Sequence, residues 1–176
     1  MNPEELINKL KTVLDSDISN FKVSHTLHGK NKTKAYRVWV DVEPNKLHSL
    51  IKKISLVYRY PHFSVSSGYD AGDHIEVLYH FALNYGRPRS QIVLTLRTSV
   101  SKNSPILETI TDIIPGAEIS EKEKREFFGV EFKGLKKGHA FLDESFNSIY
   151  PWRRDEKDAS KMVKNVHVSD KNAQGK

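Results

Sequence analysis

The 176-residue chain contains no cysteine. This excludes disulfides, cysteine-ligated zinc, thiolate catalysis and any iron–sulfur cluster held by the chain's own cysteines. It also has no run approaching about 18 consecutive apolar residues, so no transmembrane helix is expected. Met1 is followed by Asn-Pro-Glu-Glu, without the charged n-region and apolar h-region of a secretory leader. A soluble, cytoplasmic chain is expected, able to join a membrane complex as a peripheral subunit. G-x-G-x-x-G, Walker and G-x-S-x-G loops are missing, which leaves no convergent set for a stand-alone enzyme. The eight histidines are scattered, with no His-x3-His on a helix and no carboxylate shell, so no metal site is expected. Asp70 and Asp73 around Gly72 lack the spacing of a calcium loop and read as a turn.

What is present suits one globular domain. Apolar residues make up 38% and charged residues 28%. A chain of this length buries roughly 70% of its unfolded surface and needs no staple. The net charge of +6 is unevenly placed. Residues 1–60 carry 11 basic and 6 acidic groups, 61–132 carry 7 and 10, and 133–176 carry 10 and 6. A basic–acidic–basic layout favours several protein contacts over one nucleic-acid stripe.

Asn2-Pro3-Glu4-Glu5 reads as a capped helix start, and Leu6, Ile7, Leu10, Val13 and Leu14 follow at helical spacing. Residues 20–27 and 34–42 alternate around a polar turn and predict a hairpin, with Tyr36, Val38, Val40 and Val42 on one face and Trp39 on the other. A second helix carries Leu47, Leu50, Ile51, Ile54 and Val57, and Pro61 stops it. Strands are predicted near 62–66, 74–83 and 91–99. The order α-β-β-α-β-β-β predicts an α+β fold with a mostly antiparallel sheet and the helices on one face. Two short helices are expected next. One opens at Ser104-Pro105 and carries Ile106, Leu107, Ile110, Ile113 and Ile114. The other opens at a capping box, Ser120-Glu121-Lys122-Glu123, and ends at Gly129. The α+β core is expected over 1–132. An extended partner-binding segment is expected over 133–176, with the last ~25 residues read as an extended or disordered tail.

Taken alone, the charges of 121–126 read as a solvated helix face, with Glu121–Arg125 and Lys122–Glu126 as i,i+4 pairs. Phe127, Phe128, Val130 and Phe132 are too apolar to stay exposed, so they dock this helix onto the sheet or reach a partner. Arg125 to Phe132 superficially resembles the aromatic strand of an RNA-recognition motif, although Glu126 stands where glycine belongs. An RNA-binding α+β module therefore stays as the alternative. In Tyr150-Pro151-Trp152-Arg153-Arg154-Asp155, the aromatic residues suit an interface anchor and the arginines suit bidentate pairing with a neighbour's carboxylates. A local fold-back onto the same domain is the competing reading.

Pro115-Gly116-Ala117-Glu118 and Glu121-x-Glu123-x-x-Glu126-x-Phe128-Gly129-Val130-x-Phe132, followed by Tyr150 to Asp155, resemble the signature of the 30 kDa subunit of respiratory complex I. The element order resembles that family's fold. Departures at Ile119, Ser120, Lys122, 134–136 and Trp152 leave open the branch, NADH:quinone oxidoreductase or membrane-bound nickel–iron hydrogenase. The resemblance implies a non-catalytic subunit of the hydrophilic arm on the cytoplasmic face of the membrane, packed against the large and small subunits. It implies iron–sulfur clusters, and flavin or nickel–iron, in those partners and none in this chain. Glu121, Glu123, Arg125, Phe127, Phe128, Gly129, Tyr150, Pro151, Trp152, Arg153, Arg154 and Asp155 are the expected partner interface.

Overall fold

A computed structural model describes residues 2–14, 18–58, 61–87 and 89–162. The expected tail beyond residue 162 lies outside the described residues. The chain opens with helix α1 (Pro3–Leu14). Asn2 and Glu5 cap it reciprocally: the Glu5 N–H donates to Asn2 Oδ1 at 2.8 Å, and the Asn2 N–H donates to Glu5 Oε2 at 3.2 Å. Strands β1 (Ile18–His28) and β2 (Thr33–Val42) form the expected antiparallel hairpin, and α2 (Leu47–Val57) follows. Strands β3 (His62–Asp70), β4 (His74–Leu83) and β5 (Ile92–Ser101) complete a five-stranded sheet of order β1-β2-β5-β4-β3. All pairings in it are antiparallel except β2–β5, which is parallel.

Side-chain alternation gives the sheet two unlike faces. The inner face carries Val38, Val40 and Val42 from β2, Ile75, Val77, Tyr79 and Phe81 from β4, and Leu94 and Leu96 from β5. It joins Leu6, Leu10 and Leu14 of α1 and Leu50, Ile51 and Ile54 of α2 in one core. Trp39 lies on the outer face, as its parity predicts. Val23 and Leu27 share the inner-face parity but are exposed, because β1 is an edge strand and they lie beyond the helical cover.

One helix predicted from the sequence does not form. Ile106–Glu108 is a strand, β6, paired in parallel with β7 (Glu131–Lys133). Between them run a single turn in which the Ile113 and Ile114 N–H groups donate to the Ile110 carbonyl, a 3-10 turn at Pro115–Ala117, and helix α3 (Glu118–Phe128). The apolar run at 106–114 fits either secondary structure, and the Val130–Phe132 segment settles it by supplying a ladder partner. The predicted capping box at Ser120 also fails. The helix starts two residues earlier, and Ser120 Oγ accepts the Ser66 N–H at 3.2 Å, tying α3 to β3. Gly129 ends α3 with φ +70°, as predicted for a left-handed C-cap.

Candidate partner interface

Helix α3 rests on β3 at the inner face. Its inward stripe is Ala117, Glu121, Lys124 and Phe128, all buried. Two of these four carry formal charge, so the reading of 121–126 as a solvated face is overturned. The signal was present in the spacing, since 117, 121, 124 and 128 lie on one helical stripe bounded by apolar residues. Composition masked it.

Glu121 is fully buried. Its carboxylate accepts from Tyr79 Oη at 3.3 Å, from the Ile110 N–H at 3.0 Å and from Thr109 Oγ1. It therefore joins α3 to β4 and to the chain after β6. Burial pushes its pKa up against the pull of those three donors. Lys124 is buried beside it and pairs with Glu123. Gly68 makes room for the helix: a Cβ there would lie 2.5 Å from Phe128 Cε2 and 3.2 Å from Lys124 Cδ.

Arg125 and Glu126 of α3 hold a strap formed by the chain after β7. Glu126 accepts three consecutive N–H groups, from Ala140 at 2.7 Å, Phe141 at 2.8 Å and Leu142 at 2.8 Å. Burial works to raise its pKa, but these donors outweigh it and hold the carboxyl low. Arg125 donates to the carbonyls of Lys136 and Gly138. Lys122 pairs with Glu118, so the two i,i+4 pairs read from the sequence are replaced by other partners.

Residues 150–155 fold back onto the same helix. Tyr150 covers Gly129, where a Cβ would meet the ring at 2.7 Å. Pro151 sits half-buried at the turn. Trp152 stacks on Phe127 with centroids 4.3 Å apart and meets Phe128 edge-on at 5.4 Å, and its backbone N–H donates to the Phe127 carbonyl at 3.2 Å. Arg153 Nε donates to the Phe128 carbonyl at 2.7 Å, with its guanidinium over the Tyr150 ring. The Arg154 backbone N–H reaches Asp70 Oδ2 at 2.7 Å, and its side chain donates to Tyr69 Oη at 2.8 Å. Lys102 bridges Asp70 and Asp155, 2.8 Å from each. Burial alone would raise the Asp70 pKa, but Lys102 and the Arg154 and Gly72 N–H groups bring it down to about 2.

The sequence-predicted residues thus come together in two layers. Glu121, Phe128 and Gly129 face inward. Glu123, Arg125, Phe127, Tyr150, Pro151 and Arg153 tie the strap down. Trp152, Arg154 and Asp155 remain exposed at its crest. The fold-back reading describes what these residues do within the chain. The crest is what they offer to a neighbour. Residues that sequence reasoning missed are Lys124, Glu126 as the strap anchor, and Asp70 with Lys102. Among the described residues, no cluster of three or more His, Asp or Glu is placed to hold a metal, and no helix is long and apolar enough to cross a membrane.

Comparison with known proteins matches residues 40–161 to the family described as respiratory-chain NADH dehydrogenase, 30 Kd subunit. The membrane-bound hydrogenase subunit beta of Pyrococcus furiosus is 31% identical over 163 residues, covering 91% of this chain and 94% of that protein. A subunit of the F(420)H(2) dehydrogenase of Methanosarcina mazei is 28% identical over 125 residues, covering 70% of this chain and 75% of that one. The fold matches a chain of the archaeal membrane-bound sulfane sulfur reductase with TM-score 0.71 at 20% identity, covering 93% of this chain and 91% of that chain. On the family match and the near end-to-end likeness to the hydrogenase protein, the chain belongs to the 30 kDa subunit family of respiratory-chain NADH dehydrogenase.

Proposed function

We propose that the chain is a non-catalytic scaffold subunit of the hydrophilic arm of a complex-I-like, membrane-bound, ion-translocating oxidoreductase. It packs against the large and small electron-transfer subunits on the cytoplasmic face of the membrane. The observation that carries this reading is the strap itself. A buried carboxylate, Glu126, and a largely buried ion pair, Asp70–Lys102, organise an irregular segment whose crest presents Trp152, Arg154 and Asp155. Such pre-ordering lowers the entropy cost of docking. An exposed tryptophan beside an arginine is the composition of an interface anchor.

The hydrogenase type is preferred over the NADH type, because the likeness to the Pyrococcus protein runs nearly end to end in both chains. Iron–sulfur clusters, with nickel–iron or flavin, belong to the partners in this reading, since a chain with no cysteine has no thiolate to hold a cluster. The RNA alternative is not favoured, because 125–128 is helical where that motif needs a strand.

The test is recovery of the large and small subunits with a tagged full-length chain from its native membranes. Trp152→Ala with Arg154→Glu, both exposed positions, is expected to lower recovery several-fold while the isolated chain stays folded. Undiminished recovery contradicts the docking role of the crest. Binding of the chain to single-stranded RNA with a steep salt dependence would replace this reading with the nucleic-acid one.

A further inference from the structure

The outer face of the sheet, opposite α1, α2 and α3, is open, with Trp39, Val65, Tyr69 and Val93 exposed on it. Pairing registers place its side chains in rows. In one row Arg37 stands next to Val93. In the next, Lys22, Trp39, Thr95 and His80 lie side by side. Thr95 is buried although it points to this face, so it forms the floor between the larger Trp39 and His80. The groove so formed has a volume of about 570 Å³.

Its two ends differ electrostatically. At one end Arg97 is matched by Asp41, at 2.8 and 2.9 Å, and by Glu76 at 3.4 Å, with its guanidinium over the Trp39 ring. Trp39 Nε1 donates to the same Asp41 at 3.1 Å. At the other end Lys22 and Arg37 have no carboxylate partner among the described residues. They are diagonal neighbours on adjacent strands, a placement that sets side chains about 7–8 Å apart. Alternate residues of an extended chain are spaced by about 6.8 Å.

We propose that this groove is a second docking surface, seating an extended acidic segment of another protein subunit. Carboxylates at alternate positions of that segment meet Lys22 and Arg37, and an apolar side chain lies against Trp39 and Val93. Nucleic acid fits worse, because Asp41 and Glu76 border the groove and the Trp39 ring face is already covered by Arg97. A second copy of this chain would have to offer Asp41 or Glu76, both committed to Arg97. The proposal rests on the reading that the chain works within an assembly, and it adds a surface separate from the strap.

The experiment uses the purified complex containing the full chain. Acetylation of Lys22 is compared between the free and the assembled chain, and a carbodiimide is used to form zero-length crosslinks. The expected result is several-fold slower acetylation in the complex and a crosslink from Lys22 to an Asp or Glu of another subunit, lost in Arg37→Glu. Equal Lys22 reactivity in both forms overturns the proposal and leaves the scaffold reading standing. A crosslink to a second copy, or protection removed by ribonuclease or by detergent extraction of lipid, also overturns it. Failure of the chain to co-purify with any subunit overturns both.

Discussion

On the helical face of the sheet, Glu121 and Lys124 are sealed between α3 and the strands, and each group they touch is part of the fold. On the outer face, Asp41, Arg97 and Glu76 form a charge ladder of similar composition at the surface. The difference is access to water. A buried carboxylate that loses its place leaves donors stranded, whereas an exposed one is replaced by solvent. The motif that marks the family in sequence is therefore first a folding device. It fixes α3, and α3 fixes the strap whose crest is left to face a partner. The outer face has charges that a partner can engage without disturbing the core.

The largest expected effect follows from that contrast. Glu121→Ala strands Tyr79 Oη, Thr109 Oγ1 and the Ile110 N–H, and is expected to cost about 3 kcal/mol by denaturant titration. Asp41→Ala, on the outer face, is expected to cost about 1 kcal/mol. Equal losses would break the comparison.

Asp70→Ala leaves the largely buried Lys102 without its inner carboxylate and is expected to cost about 3 kcal/mol, expressed first as release of the strap. The pH dependence has a definite sign. The folded pKa of Asp70, about 2, lies below its ordinary value, so its stabilisation is present above about pH 4 and disappears as pH falls toward 2. Glu121 acts oppositely: its raised pKa gives a contribution complete below the ordinary carboxylate value and lost as pH rises through the folded value. Trp152 fluorescence in a Trp39→Phe background should therefore report strap release on acidification, while Glu121→Gln should flatten the loss on the alkaline side of the curve.

Trp152→Ala removes the stack on Phe127, worth about 1 kcal/mol beyond area burial. Faster tryptic cleavage at Arg153 and Arg154 is expected, with the melting midpoint of the core barely moved. The smallest effect belongs to Lys22→Ala with Arg37→Ala, expected within about 0.5 kcal/mol of the parent in stability. A larger loss would mean that these side chains serve the fold.

Much of the sheet was legible in the chain because its signals are local. The Asn2–Glu5 box, the alternation of 36–42 and 75–83, and Gly129 each act over a few residues. The parallel β2–β5 pairing was not legible, since it depends on a register between segments some 55 residues apart. The strand at 106–108 was misread because its ladder partner lies beyond α3. The candidate site was legible as a set of residues but not as an arrangement. Glu121 and Lys124 look solvated until Gly68 and Phe128 are seen to seal them, and the strap looks free until Glu126 is seen to hold three of its N–H groups.

Hydrogen exchange of the isolated full-length chain tests the central claim most directly. If α3 pre-orders the strap, the amides of Ala140, Phe141, Leu142, Trp152 and Arg154 exchange slowly without any partner, and Glu126→Ala speeds the first three selectively. Exchange of these amides at unprotected rates in the isolated chain, slowed only when the other subunits are added, would contradict it.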